Sequence, residues 1–263
     1  MTGQFIITKE HRRFTEFADA VRKQHTIGIC YGPAGVGKTI SARRYAHWDQ
    51  LEPFLTAWGP RSDSDTAMYA AAARARTAFY TPSPLTTPRL LRDELNHITG
   101  RVGVCIDEHQ RADGRGHADA FALLVELLII DESERLTATS LELVRDRYDR
   151  GGPAVILIGM PGIDKRFSHY PQLYSRLGFA HEYRPLGHSE LVFVLTRYWK
   201  RLGQALDPDD FTDAQAIAAV QRITRGNFRL LERLFPQIGR VLKINDLTTI
   251  TNDVIEAAAS TLV

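Results

Sequence analysis

Cysteine is nearly absent from this 263-residue chain: there are two, Cys30 and Cys105, far apart and each inside an apolar run. That excludes a disulfide-stapled scaffold and a cysteine metal site, and it points to buried thiols in a reducing compartment. The nine histidines add no metal-ligand spacing. Neither sign of charge dominates, since 33 Lys and Arg against 31 Asp and Glu leave a net +2. Any contact with nucleic acid must therefore come from local clustering rather than overall basicity. No apolar run approaches a membrane span, and Phe5-Ile6-Ile7 is too short for a secretory signal. Ser175 and Ser189 lack the context of a nucleophile elbow. Repeats and low-complexity tails are missing too. The expectation is a cytoplasmic protein with no membrane partner. With 44% hydrophobic residues, the length suits one large domain, or one domain and a small appendage.

What the chain does have is Gly32-Pro33-Ala34-Gly35-Val36-Gly37-Lys38-Thr39, a full match to the phosphate-binding loop G-x-x-x-x-G-K-[ST]. Gly32, Gly35 and Gly37 permit backbone angles closed to other residues, so main-chain N–H groups can close around phosphate oxygens. Lys38 is placed to reach the β- and γ-phosphates, and the Thr39 hydroxyl to ligate Mg²⁺. Ile40 completes the segment expected to line the nucleotide. The loop falls where it must, between a predicted buried strand (residues 26–31) and a predicted helix (39–48) whose positive dipole end faces the anion. The chain is expected to bind a nucleoside triphosphate, ATP with Mg²⁺.

Before the loop, residues 8–24 carry Phe14, Phe17, Ala18 and Val21 at helical spacing, with Thr8 as a candidate N-cap. After it, Pro53-Phe54-Leu55-Thr56-Ala57-Trp58 reads as a second strand, and Asp65 as the cap of a helix running to Phe79. Trp48, Trp58 and Trp199 read as core or half-buried aromatics. Prolines 82, 84 and 88 break the chain before a helix over 90–98.

Two acidic strand ends then compete for one role. A phosphate-loop NTPase needs an apolar strand beside the first, ending in an Asp for Mg²⁺, often followed by a Glu that polarises water. Val102-Gly103-Val104-Cys105-Ile106-Asp107-Glu108 and Val125-Glu126-Leu127-Leu128-Ile129-Ile130-Asp131-Glu132 both fit. The second is preferred, because four apolar residues run straight into Asp131-Glu132 and another buried strand follows over 154–158. Alternating strands and helices predict a parallel sheet covered on both faces. From residue 186 to 263 only helical periodicity remains, over 187–201, 212–224, 228–242 and 252–262. The predicted organisation is α/β: a nucleotide-binding domain over 1–185 and a helical lid over 186–263.

The phosphate loop, the Asp-Glu strand end and the helical lid together resemble the AAA+ ATPases. Within them the chain is similar to the transposition regulators of the MuB, TnsC and TniB group, with IstB as a cousin. The likeness also rests on Leu157-Ile158-Gly159-Met160-Pro161-Gly162 and Leu173-Tyr174-Ser175-Arg176-Leu177. By that resemblance Glu132 and Lys38 serve hydrolysis, and Arg176 reaches the nucleotide of a neighbouring subunit. Arg229, in Gly226-Asn227-Phe228-Arg229, contacts phosphates from the lid. Loops after the second strand bind DNA, which points to Arg61, Arg74 and Arg76. The family usually places a polar residue where this chain has Met160, and methionine cannot orient water, so either hydrolysis is slow or Glu132 does the positioning alone. The implied protein is an ATPase that oligomerises on double-stranded DNA, as a ring or a helical filament. It would recruit a transposase and disassemble on hydrolysis. A nucleotide switch acting on a protein partner without DNA, and a helicase- or clamp-loader-type ATPase, are the alternatives.

Overall fold

The computed structural model describes residues 5–112, 114 and 120–262. Helix α1 (Lys9–Lys23) leads into β1 (Ile27–Tyr31), and α2 (Lys38–Tyr45) follows the phosphate loop. Next come α3 (Trp48–Thr56), α4 (Thr66–Ala75), β2 (Thr77–Tyr80) and the 25-residue α5 (Pro88–Ala112). Then β3 (Leu127–Ile130), α6 (Ala138–Asp149), β4 (Ala154–Gly159), two short helices α7 (Ile163–Ser168) and α8 (Pro171–Tyr174), and β5 (Leu177–Glu182) complete the sheet region. The five strands pair in the order β2-β3-β4-β1-β5, every ladder parallel. Strands β2, β3 and β4 are buried along their whole lengths, as a sheet covered on both faces requires. Only the edge strand β5 alternates between half-buried and exposed residues. Among the described residues no helix is long and apolar enough to cross a membrane.

The expected second strand over 53–58 is instead helix α3. Trp48, Leu51 and Leu55 are its buried residues, a spacing of three and four that no strand has. The second strand is Thr77–Tyr80, which overlaps the end of the helix expected to run to Phe79. Arg76 adopts the left-handed conformation (φ 46°), which ends α4, and the β-branched and aromatic run Thr77-Ala78-Phe79-Tyr80 is then free to pair. The rival acidic segment, Val104 to Glu108, lies inside α5, where Leu91, Leu95, Thr99, Val102 and Ile106 are buried at helical intervals.

Contacts divide the chain into two compact units. One holds Arg13–Gly32 and Lys38–Glu182; the other holds the described residues up to Arg12, Pro33–Gly37, and the chain from Tyr183 onward. In the second unit α9 (His188–Arg201), α10 (Phe211–Thr224), α11 (Phe228–Ile244) and α12 (Asn252–Ala259) enclose their own core. Phe235 stacks on Tyr198 at 4.3 Å and meets Trp199 edge-on at 5.5 Å. Side chains start three of these helices: Asp210, Asn227 and Thr251 each accept a first-turn N–H.

Gly226 joins α10 to α11 at φ +73°, and a Cβ there would lie 2.2 Å from the Leu186 carbonyl oxygen. Gly226→Ala is therefore expected to cost about 2–3 kcal/mol, from backbone strain added to an unavoidable clash. A denaturant midpoint unchanged from the parent would contradict this.

Candidate functional site

Strand β1 is apolar and buried until Tyr31, after which the chain turns through Gly32 to Gly37 and enters α2 at Lys38. Gly35 (φ 78°) and Gly37 (φ 112°) take conformations that L-residues rarely adopt. Lys38 is 8% exposed, and its Nζ donates to the Gly32 carbonyl at 2.6 Å. One residue on, the Thr39 hydroxyl donates to Asp131 Oδ2 at 2.6 Å. Pro33, Ala34, Thr39 and Ile40 are exposed at the surface while Val36 is buried.

Asp131 follows the last residue of β3, and its N–H donates to the Tyr80 carbonyl at 2.9 Å. This strand is not beside β1, as expected from sequence, because β4 lies between them. The carboxylate nonetheless spans that gap to reach Thr39. Asp131 is 4% exposed. Burial pushes its proton affinity up, against hydrogen bonds from Thr39 and the Glu132 amide that favour the ionised form. A buried carboxylate and a hydroxyl in contact form a set of hard oxygen donors suited to a divalent cation such as Mg²⁺.

Glu132 adopts the left-handed conformation (φ 48°). Its half-exposed carboxylate pairs with Arg135, whose Nη1 donates to the Pro82 carbonyl at 2.8 Å. Beside it Ser133 is fully buried, donating to the Ile158 carbonyl at 2.7 Å and tying the turn to β4. Met160 is 40% exposed just beyond β4, at the same ends of the strands as Asp131. The dipeptide Asp107-Glu108 belongs to α5 and takes no part here.

Within the helical unit, Asn227 has two roles that its sequence context did not reveal. Its Oδ1 accepts the Arg229 and Leu230 N–H groups at the start of α11, and its Nδ2 donates to the Ala34 carbonyl at 2.7 Å. The Arg229 N–H also donates to the Gly35 carbonyl at 2.9 Å, while the Arg229 side chain is exposed.

Arg176 lies at the opposite ends of the strands. Its carbonyl accepts the N–H of Ile27, the first residue of β1. Five residues of extended chain, about 16 Å at 3.3 Å per residue, separate that point from the phosphate loop of the same chain. Of the three arginines expected at DNA, two are engaged inside the chain. Arg61 lies over Trp58, 3.7 Å from the ring centroid, and donates to the Gly59 carbonyl. Arg76 pairs with Glu126 at 2.8 Å. Arg74 is exposed and, with Arg44, helps to hold His47 below the usual imidazole range, burial being the larger cause.

A strand–glycine loop–helix unit, with Thr39 bonded to Asp131 across a parallel sheet, defines a phosphate-loop nucleotide-binding protein of the ATPase class. The chain belongs to the AAA domain family, whose model matches residues 21–167. It is 40% identical over 266 residues to a "Potential ATP-binding protein" of Staphylococcus aureus, covering 98% of this chain and 96% of the relative. Among solved structures it resembles the Thermotoga maritima RuvB Holliday junction branch migration motor, with a TM-score of 0.58 at 18% identity. That match covers 98% of this chain and 70% of the other. The Aeropyrum pernix ORC1 protein in complex with DNA is similar at TM-score 0.56 and 14% identity, covering 97% of this chain and 65% of that one. At these identities the structural likeness speaks for the fold alone. The chain is an ATP-binding AAA-type ATPase.

Proposed function

We propose that this ATPase regulates DNA transposition, assembling on double-stranded DNA in its ATP state and recruiting or activating a transposase. Lys38 and the loop amides hold the phosphates, and Thr39 and Asp131 hold Mg²⁺, which neutralises charge on the phosphates when bound. Glu132 positions and polarises the attacking water. Arg229 contacts the phosphates from the lid, residues 186–263, while residues 1–185 form the nucleotide-binding domain. Arg176 completes the site of the next subunit, and the observation that carries this reading is its position at the far ends of the strands. An arginine about 16 Å from its own loop serves a nucleotide only by reaching into a neighbour. ATP bridging two subunits then favours the assembled state by mass action. Hydrolysis removes the bridge and disassembles the oligomer, a ring or a helical filament.

Arg74, with Arg61 and Arg76, is proposed to face DNA phosphates, giving salt-dependent binding without sequence choice. The intrachain engagement of Arg61 and Arg76 favours one alternative, a nucleotide switch that acts on a protein partner without DNA. Negative-stain imaging with duplex DNA separates the two. Rings or filaments on DNA with a slowly hydrolysed ATP analogue, and none with ADP, are expected. Single particles in every condition would overturn the assembly reading.

A further inference from the structure

In the isolated chain Arg176 is not free to serve a neighbour. Its Nε and Nη2 donate to the two carboxylate oxygens of Asp149 at 3.2 and 3.0 Å, a bidentate pair, and its Nη1 donates to the Gln172 carbonyl and the Ser175 hydroxyl. Asp149 is the last residue of α6, where the helix dipole disfavours a carboxylate. The helix dipole therefore does not explain its presence. A second cation is also in place: Arg145, one turn earlier, pairs with Asp149 as well as with Glu142. The two guanidinium groups hold the Asp149 carboxyl below the usual range, Arg176 contributing most.

We infer that Asp149 is a latch for Arg176, with Arg145 as the resident counter-ion that makes the latch reversible. This rests on the reading of Arg176 as an arginine delivered to the next subunit. When Arg176 leaves for a neighbour's triphosphate, it exchanges one bidentate anion for another. Arg145 stays behind, so Asp149 is never left uncompensated. The exchange is close to balanced, so Arg176 engages only when a triphosphate-loaded neighbour is present at sufficient concentration. Asp149 is thus a positioning residue that sets the assembly threshold.

The two members of the latch predict shifts of opposite sign. Asp149→Asn removes the competing charge, so half-maximal ATP turnover and half-maximal assembly with a slowly hydrolysed ATP analogue should occur at up to about five-fold lower protein concentration, the range spanned by exposed ion pairs. Arg145→Gln leaves Arg176 as the main partner of Asp149 and should raise both midpoints, by about two-fold. Sedimentation velocity reads the assembly midpoint independently of turnover. Shifts of the same sign, or no shift in either variant, would overturn the latch. So would an effect of Asp149→Asn in an Arg176→Ala background. Arg176→Ala separates the two levels of the argument. If it leaves the concentration dependence intact, the reading of Arg176 has failed and the latch with it. If it flattens that dependence while Asp149→Asn shifts nothing, only the latch is lost.

Discussion

Lys38→Ala is expected to weaken ATP binding by about 10²-fold, roughly 3 kcal/mol, the scale of one or two hydrogen bonds to a charged group. The ammonium is 8% exposed and already held inside the loop by the Gly32 carbonyl at 2.6 Å. Binding exchanges that carbonyl for phosphate oxygens without first having to order a long side chain. Its removal takes away a preorganised cation as well as its hydrogen bonds. Arginine should not rescue the loss, because its planar fork is larger than the ammonium and the pocket around Lys38 is almost closed to solvent. Titration of the parent and both variants with a fluorescent ATP analogue tests this. Affinity retained within three-fold in Lys38→Ala would contradict the assignment of Lys38 to the phosphates.

The parts of this protein that could be read from sequence are those where a local pattern has one physical solution. Leu127-Leu128-Ile129-Ile130 and Ala154-Val155-Ile156-Leu157-Ile158 are apolar on every residue, short, and rich in β-branched side chains, which suits a strand covered on both faces. The four C-terminal helices were legible through their helical periodicity, each segment carrying an apolar stripe. Residues 53–58 read as a strand in isolation, whereas burial of Trp48, Leu51 and Leu55 on one face carries a helix through Pro53 to Thr56. Thr77 to Tyr80 was hidden because four residues carry little periodicity of their own. What makes them a strand is the ladder to Leu127–Ile130, a contact some fifty positions away. The same holds at the site. Phosphate and metal chemistry singled out Lys38, Thr39 and Asp131 in the sequence, and the structure brings Thr39 and Asp131 into contact and holds Lys38 in the loop. Asn227, Arg135 and Asp149 were not legible, since their roles exist only once distant segments meet at Ala34, Pro82 and Arg176.

Glu132→Gln should separate binding from hydrolysis. Glutamine keeps the size and hydrogen-bonding capacity of glutamate but cannot take a proton or draw charge onto an attacking water. Turnover is expected to fall by about 10²–10³-fold, within the range general-base catalysis contributes, while ATP affinity stays within a few-fold of the parent. The geometry explains why the carboxylate can be lost without disturbing the phosphate-binding groups. Glu132 faces Arg135 from a left-handed backbone turn, and Arg135 is anchored separately to the Pro82 carbonyl. Asp131 keeps its bond to Thr39, so the groups assigned to Mg²⁺ remain. Under the proposed assembly, in which ATP bridges subunits, Glu132→Gln assemblies formed with ATP should persist as long as those the parent forms with a slowly hydrolysed analogue. Single-turnover kinetics with radiolabelled ATP, read beside equilibrium binding, decide the matter. A rate above one tenth of the parent's would move the catalytic role away from Glu132.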